Sequence, residues 1–250
     1  MSVFSKHLNQ NHLRGRPSRT SPYNPVMNPD SSANFLHVLE ARIQDPGFTK
    51  GERTRATIRW ATAAILESTG YASFSLDMVA RKADVSRPTI YQYYANKRDC
   101  VLDVLSEFLT IVFQFVERNG KAKRAKTNDL LTQVTDVNLE YIAFYRENAA
   151  LVERVRELRQ DIPELISLQQ DVNRKWAERV AARISKDGPL SPKQALLTAY
   201  ALESMIDDFL RELFVLKNPH LAALNLSDEA LAQGLSGVWV RAACGVLPPT

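Results

Sequence analysis

The chain has 250 residues, of which 45% are hydrophobic and 24% charged. This is ordinary globular usage, long enough for a substantial core, and it excludes wholesale disorder and fibrous repeats. The formal net charge of +4 is unevenly spread: residues 1–49 carry five cations against three anions, residues 50–100 carry nine against five, and the remainder is acidic. A basic end on an acidic body is expected where one end meets a polyanion and the other does not.

No window approaches the ~20 consecutive apolar residues that a membrane span needs, and the N-terminus lacks the apolar stretch of a secretory signal. The expected location is therefore cytoplasmic, with no membrane partner. Cys100 and Cys244 lie far apart without C-x-x-C spacing, which predicts no zinc site and inert core thiols, a redox-sensing role being the alternative.

Residues 1 to about 30 mix Ser, Asn, Pro and Arg without periodicity and read as a flexible basic tail. Its "RGRP" (Arg14–Pro17) could enter a narrow A·T-rich minor groove or could be a solvated tail. "SSANFLHVLEARI" then places Phe35, Leu36, Leu39 and Ile43 at helical spacing, a short helix expected to dock on the next domain. A capping-box pattern at Thr49 and Glu52 opens a helix with Ile58, Ala61, Ile65 and Leu66 on one face and Gly70 at its stop. After Ser75 as an N-cap, a short helix buries Leu76, Val79 and Ala80; "DVS" makes a tight turn ending in a second N-cap, Ser86.

From Arg87 to about Tyr94 the chain can form another short helix, because Pro88 in its first turn forfeits no intrahelical bond. Asn96 reads as the N-cap of a helix from Lys97 to about Arg118, with Leu102, Leu105, Phe108 and Leu109 inward and the basic "GKAKRAK" as the loop that ends it. Amphipathic helices continue over roughly 128–146, 149–159, 163–185, 192–216 and 228–244, and no strand is predicted.

Two short helices joined by a tight turn, the second polar and aromatic where a core helix would carry leucines, describe a helix-turn-helix. In the second helix only Val85 and Ile90 need to bury, which frees Arg87, Thr89, Tyr91, Gln92 and Tyr93 to meet DNA. Ser86 and Pro88, which shape the start of that helix, complete the candidate DNA-binding surface. Lys97 adds a cation at a helix start whose backbone N–H groups already attract phosphate. A Tyr-rich helix can equally serve a protein interface, so a helical protein-interaction adaptor is the alternative reading.

The stretch "ILESTGYASFSLDMVARKADVSRPTIYQYYANKRD" goes further, because it closely resembles the DNA-binding domain of the TetR family of transcriptional regulators. The shared marks are the glycine ending the first helix, S-x-x-x-V-A in the second, V-S-x-x-T-I-Y in the third, then Y-Y-x-N-K. The resemblance implies a homodimeric regulator, usually a repressor, that binds a pseudo-palindromic operator in double-stranded DNA through paired third helices. It places Arg87, Thr89, Tyr91 and Tyr93 at DNA, Ser75 and Lys97 on phosphate, and Tyr94, where the family usually has phenylalanine, in packing. The family usually begins close to the first of these helices, whereas about 48 residues precede it here.

The same resemblance implies a C-terminal helical domain that dimerises through its last two helices, with Phe209, Leu213, Leu235 and Trp239 as interface candidates and an intramolecular core as the alternative. Its middle helices would hold an effector cavity with Phe108, Phe113, Tyr141, Phe144, Tyr145, Trp176, Leu202 and Met205 as candidate lining, each of them equally able to pack the core. No buried-looking cluster of Arg, His or paired acids recurs on those faces, so the expected effector is an apolar small molecule: lipid-like, acyl or aromatic. The expected fold is all-α, with an extension over 1–48, a three-helix DNA-binding domain over 49–96 and a ligand-binding and dimerisation domain over 97–250. No metal-ligand spacing, nucleophile motif or glycine-rich phosphate loop is present, and three of the four histidines (His7, His12, His37) lie in the extension, away from His220. Catalysis and a cofactor are therefore not expected.

Overall fold

The computed structural model describes residues 33–124 and 129–244; the "RGRP" stretch lies outside them. Among the described residues every regular element is a helix: α1 (Phe35–Ile43), α2 (Lys50–Thr69), α3 (Leu76–Lys82), α4 (Arg87–Tyr93), α5 (Lys97–Arg124), α6 (Leu130–Glu147), α7 (Ala149–Glu157), α8 (Glu164–Asp187), α9 (Pro192–Phe214), α10 (Pro219–Ala222) and α11 (Asp228–Ala243). None of them is long and apolar enough to cross a membrane.

Local chemistry sets most of the boundaries. Thr49 and Glu52 cap α2 reciprocally, Ser191 and Gln194 do the same for α9, and single side chains at Asn34, Ser75, Ser86, Asp129 and Ser227 accept from the first turns of their helices. At the end of α2, Gly70 takes a φ of 71°, and a Cβ there would stand 2.9 Å from the Arg154 guanidinium. Two boundaries differ from those expected of the sequence. Helix α5 runs six residues further, through Gly120, because one glycine among good helix formers is a tolerable cost of about 1 kcal/mol. The four-residue α10, started by the Asn218 cap and Pro219, is too short to leave a hydrophobic period.

Helix α2 lies along α5, α3 packs on α2 and α4 on α3, while α6 runs along α11 and α8 along α9. The face of α2 carrying Ile58, Ala61, Ile65 and Leu66 is buried, as its period predicts. Between α6 and α11 the buried Asn138 amide donates to Ser236 Oγ at 2.8 Å, which satisfies both polar groups.

Helix α1 is built into this body. Phe35 is fully buried, its ring edge-on to Phe108 with centroids 5.2 Å apart, and Phe108 stacks on Phe144 at 5.8 Å. Asn148, at the α6–α7 corner, accepts from the Phe35 N–H at 2.8 Å and donates to the carbonyls of Ala33 and Phe144 at 2.8 and 2.7 Å. On the other side of α1, Trp60 Nε1 of α2 donates to Glu40 at 2.9 Å. The helix therefore joins α2, α5 and the α6–α7 corner.

The two thiols differ. Cys100 is buried beside Thr62 Oγ1 at 3.1 Å, and burial pushes its thiol up to about 12, which makes it inert. Cys244 is exposed at the end of α11, because the apolar stripe of that helix stops at Ala243; the expectation of a core thiol is corrected there.

Phe35→Ala should cost about 3–5 kcal/mol of unfolding free energy in a urea titration, because loss of a fully buried ring would leave a cavity beside Phe108. Leu36→Ala, on the half-buried side of the same helix, should cost much less. Equal, small losses in both variants would show that α1 is not part of the core.

Candidate functional site

The turn between α3 and α4 is made by Asp84 at a φ of 52°, a left-handed position that a short polar residue tolerates. The Ser86 hydroxyl then accepts from the Thr89 N–H and lies 2.7 Å from the Thr89 hydroxyl, fixing the first turn of α4 with Pro88 inside it. One residue of α4, Ile90, is fully buried, while Val85 ahead of it is half-buried. Arg87, Pro88, Tyr91 and Gln92 face outward, and Tyr91 is 48% exposed.

Neighbouring side chains and backbone hold the outward groups in place. Arg87 Nε lies 3.0 Å from Asp77 of α3, and its guanidinium sits 5.9 Å from the Tyr91 ring centroid. The Tyr93 hydroxyl donates to the Gly51 carbonyl at 3.2 Å, which ties α4 to the start of α2. The Lys97 ammonium lies over the Tyr71 ring at 4.3 Å, beside the turn after α2. The structure thus brings Ser86, Arg87, Pro88, Thr89, Tyr91, Gln92, Tyr93 and Lys97 into one region, with Ser75 as the N-cap of the neighbouring α3.

Behind this surface is a joint that sequence patterns do not announce. Tyr94 closes α4 and donates its hydroxyl to Asp103 of α5. Asp103 also takes a two-pronged contact from Arg59 of α2, at 2.7 and 2.8 Å, while a third Arg59 nitrogen lies 2.9 Å from Glu107, which pairs in turn with Arg42 of α1. Burial acts to raise the Asp103 pKa, but the hydrogen bonds from Arg59 and Tyr94, with the charges of Arg59 and Arg55, outweigh it and hold the carboxyl below its ordinary range. The visible signal was the hydroxyl on Tyr94 at a packing position.

A pocket with a volume of about 630 Å³, counting the part open to solvent, lies among α5, α6, α8 and α9. Val112, Val137, Val172 and Ile206 make its apolar walls, and Tyr141 and Trp176 are its aromatic ones. Asn138, Asn173 and Glu203 supply its polar atoms. Of the expected lining, Tyr141 and Trp176 are here. Phe108 and Phe144 stand in the stack with Phe35, Tyr145 and Leu202 are buried in the helical core, and Met205 is exposed; the Phe113 side chain lies outside the described residues. Of the expected interface residues, Trp239 is buried within this chain, and Phe209, Leu213 and Leu235 are half-buried against the same core.

Next to the pocket stands a polar cluster absent from the expectations drawn on sequence. Asp207 takes the Tyr141 hydroxyl at 3.1 Å and an ion pair from Arg156; Arg211 holds Glu153 at 2.7 and 2.8 Å. The Tyr145 hydroxyl and the Nε atoms of Arg156 and Arg159 are buried with no hydrogen-bond partner among the described residues. Burial and the charge of Asp207 push the Glu203 carboxyl up to about 7, against the opposing pull of Arg156 and Arg159. The missed signal was pairing at helical spacing: Glu203 with Asp207, Tyr141 with Tyr145, and Arg156 with Arg159. Among the described residues no cluster of His, Cys, Asp and Glu could hold a metal ion.

Residues 58–104 match the family model of bacterial regulatory proteins, tetR family. Over these residues the chain carries a DNA-binding domain of the tetR-family type. No curated protein matches it at the sequence level. Among solved structures, this chain is similar to NalD of Pseudomonas aeruginosa, the secondary repressor of the MexAB-OprM multidrug efflux pump. The TM-score is 0.58 and the identity 18%, over 78% of this chain and 97% of that one. The fatty acid degradation regulator FadR of Bacillus halodurans gives 0.57 at 16%, over 75% and 94%. A TetR-like transcriptional regulator from Rhodococcus gives 0.56 at 17%, over 77% and 97%. At these identities the likeness is one of fold, and it extends past the matched domain to the helices that enclose the pocket.

Tyr94→Phe should lower the unfolding free energy at pH 7 by about 1–2 kcal/mol, through loss of a hydrogen bond to a charged acceptor. Asp103 is held below its unfolded value, so its contribution is present above that value, about pH 4, and is lost as pH falls through the folded one. The gap between the two proteins should therefore close in acid denaturation, and a gap independent of pH would assign Tyr94 to packing alone.

Proposed function

We propose that this chain is a homodimeric transcriptional repressor that grips a pseudo-palindromic operator with paired α4 helices and lets go when a small molecule enters the pocket. The observation that carries the reading is α4 itself. It buries Ile90, presents Arg87, Tyr91 and Gln92 to solvent, and is braced through Tyr93 and Tyr94 against two other helices. Arginine can fork onto guanine, and tyrosine and glutamine can reach base edges or phosphate. Residues 49–96 are the DNA-binding unit in this reading, and residues 97–250 sense and dimerise.

The outer faces of α9 and α11 support dimerisation. Leu197 is 71% exposed, Met205 and Val238 are also exposed, and the position of Gly234 is open, so a second helix could approach closely. These residues, continuous with Phe209 and Leu235, form the proposed interface.

Helix α5 is the natural lever. Lys97 stands at its start, Asp103 receives Tyr94, and Val112 borders the pocket. From Asp103 to Val112 is nine residues, about 13 Å of rigid helix. Two reading helices must match half-sites about 34–36 Å apart or a multiple of that, so a small pivot spoils the fit. A typical coupling of about 1–3 kcal/mol would loosen operator binding roughly 5- to 150-fold. The effector is expected to be largely apolar, to suit the pocket walls.

Tyr91→Ala should weaken binding to the operator by about 1–3 kcal/mol in a gel shift while the folded dimer persists; unchanged affinity would remove α4 from the reading role. Lys97→Ala should weaken operator and unrelated DNA alike and lower the salt dependence by about one ion. A changed sequence preference in a binding-site selection would make Lys97 a base reader instead.

A further inference from the structure

We infer that the pocket selects a hydrophobic cation, an alkyl- or aryl-ammonium whose charged head is received by Glu203 between the rings of Trp176 and Tyr141. The inference rests on the pocket being the sensor site, and it names the chemistry that this site takes.

Three features of the wall converge on that class. The first is a carboxylate that no cation pairs with directly. Glu203 and Asp207 lie one turn apart on α9; of the two cations whose charge reaches Glu203, Arg156 pairs with Asp207 and stands 3.6 Å from Asp208, and Arg159 donates to Gln169. Among the described residues Glu203 has no ion pair; Ser204 is its hydrogen-bonding neighbour. The second is a pair of aromatic rings on the same pocket, Trp176 from α8 and Tyr141 from α6, whose electron-rich faces attract a cation that has shed its water. The third is the aliphatic remainder, Val112, Val137, Val172 and Ile206, which suits a hydrocarbon body and excludes a well-hydrated ion such as potassium. An anionic amphiphile would put a further negative charge beside Glu203 and Asp207, and a neutral one would leave Glu203 without a direct partner.

The same wall explains a pH dependence. The charges of Asp207 on its own helix and of Arg156 and Arg159, from α7 and the turn after it, act on Glu203, and Tyr141 of α6 feels it in turn; the pocket wall it shares with α8 and α5 carries the uncharged Val172, Asn173, Trp176 and Val112. Its carboxyl ionises near pH 7 rather than near 4.5, so a permanent cation finds a charged partner more often as pH rises through that range.

The test is calorimetric titration of the full chain with three probes that share an unbranched ten-carbon chain: decyltrimethylammonium, 1-decanol and decanoate. The expected order at pH 8 is decyltrimethylammonium tighter than 1-decanol by at least about 10-fold, the scale of a cation–π contact joined to a charge pair, with decanoate weakest. The preference for the cation should shrink from pH 8 to pH 6. In Glu203→Gln it should vanish at every pH while 1-decanol binds as before, which reports an intact pocket; Glu203→Asp should retain part of it. Decanol bound without any preference for the cation, a preference that survives Glu203→Gln, or decanoate bound tightest would each overturn the inference while leaving the sensor pocket standing. No binding of any probe would overturn both.

Discussion

The carboxylate of Asp103 is the point on which the reading end of this molecule depends. Three helices meet at it: α2 through Arg59, α4 through the Tyr94 hydroxyl, and α5, which carries it. Such an acid would ordinarily be costly to bury, yet the forked guanidinium and the phenol supply donors that keep it ionised. A seven-residue helix has little stability of its own, since its first and last turns hold most of its backbone groups. Helix α4 is held because its C-cap residue, Tyr94, is tethered to a charge, while Ile90 anchors its middle. Tyr94 thus does more than fill space.

The network continues from that point into the N-terminal extension. Glu107, one turn along α5, lies between Arg59 and Arg42, so the charge that organises the reading end also receives α1. The apolar side of α1 works in the other direction, sending Phe35 into the aromatic stack of Phe108 and Phe144. The extension that distinguishes this chain from the usual family pattern is, over residues 35–43, part of the core.

The reading end was legible in the sequence because its signals are local. N-caps at Ser75 and Ser86, Pro88 in a first turn and Gly70 after a last one each act within four residues, and the exposed tyrosines of α4 stood out against the leucines expected of a core helix. The helices around the pocket were less legible because their signals are relational. Phe108, Phe144, Tyr141 and Trp176 all sit on inward faces, and only the crossing of helices decides which border a space. Phe35, arriving from a helix more than seventy residues upstream, fills the region in front of Phe108 and Phe144. The acids on α9 were visible one by one, but Arg156 belongs to α7, and no periodicity on either helix announces that they meet.

One consequence of the way α1 is seated concerns cooperativity. A helix that shares buried side chains with α2, α5 and the α6–α7 corner couples them in a single melting event, since none can separate without exposing Phe35 or stranding Asn148 among unpaired carbonyls. The helix-turn-helix end and the helices around the pocket are then not autonomous folding units. A protease should find few stable cuts between them, and heating should produce one calorimetric peak in place of two. Strain placed beside the pocket would then be felt across the whole body, through shared packing as well as along α5.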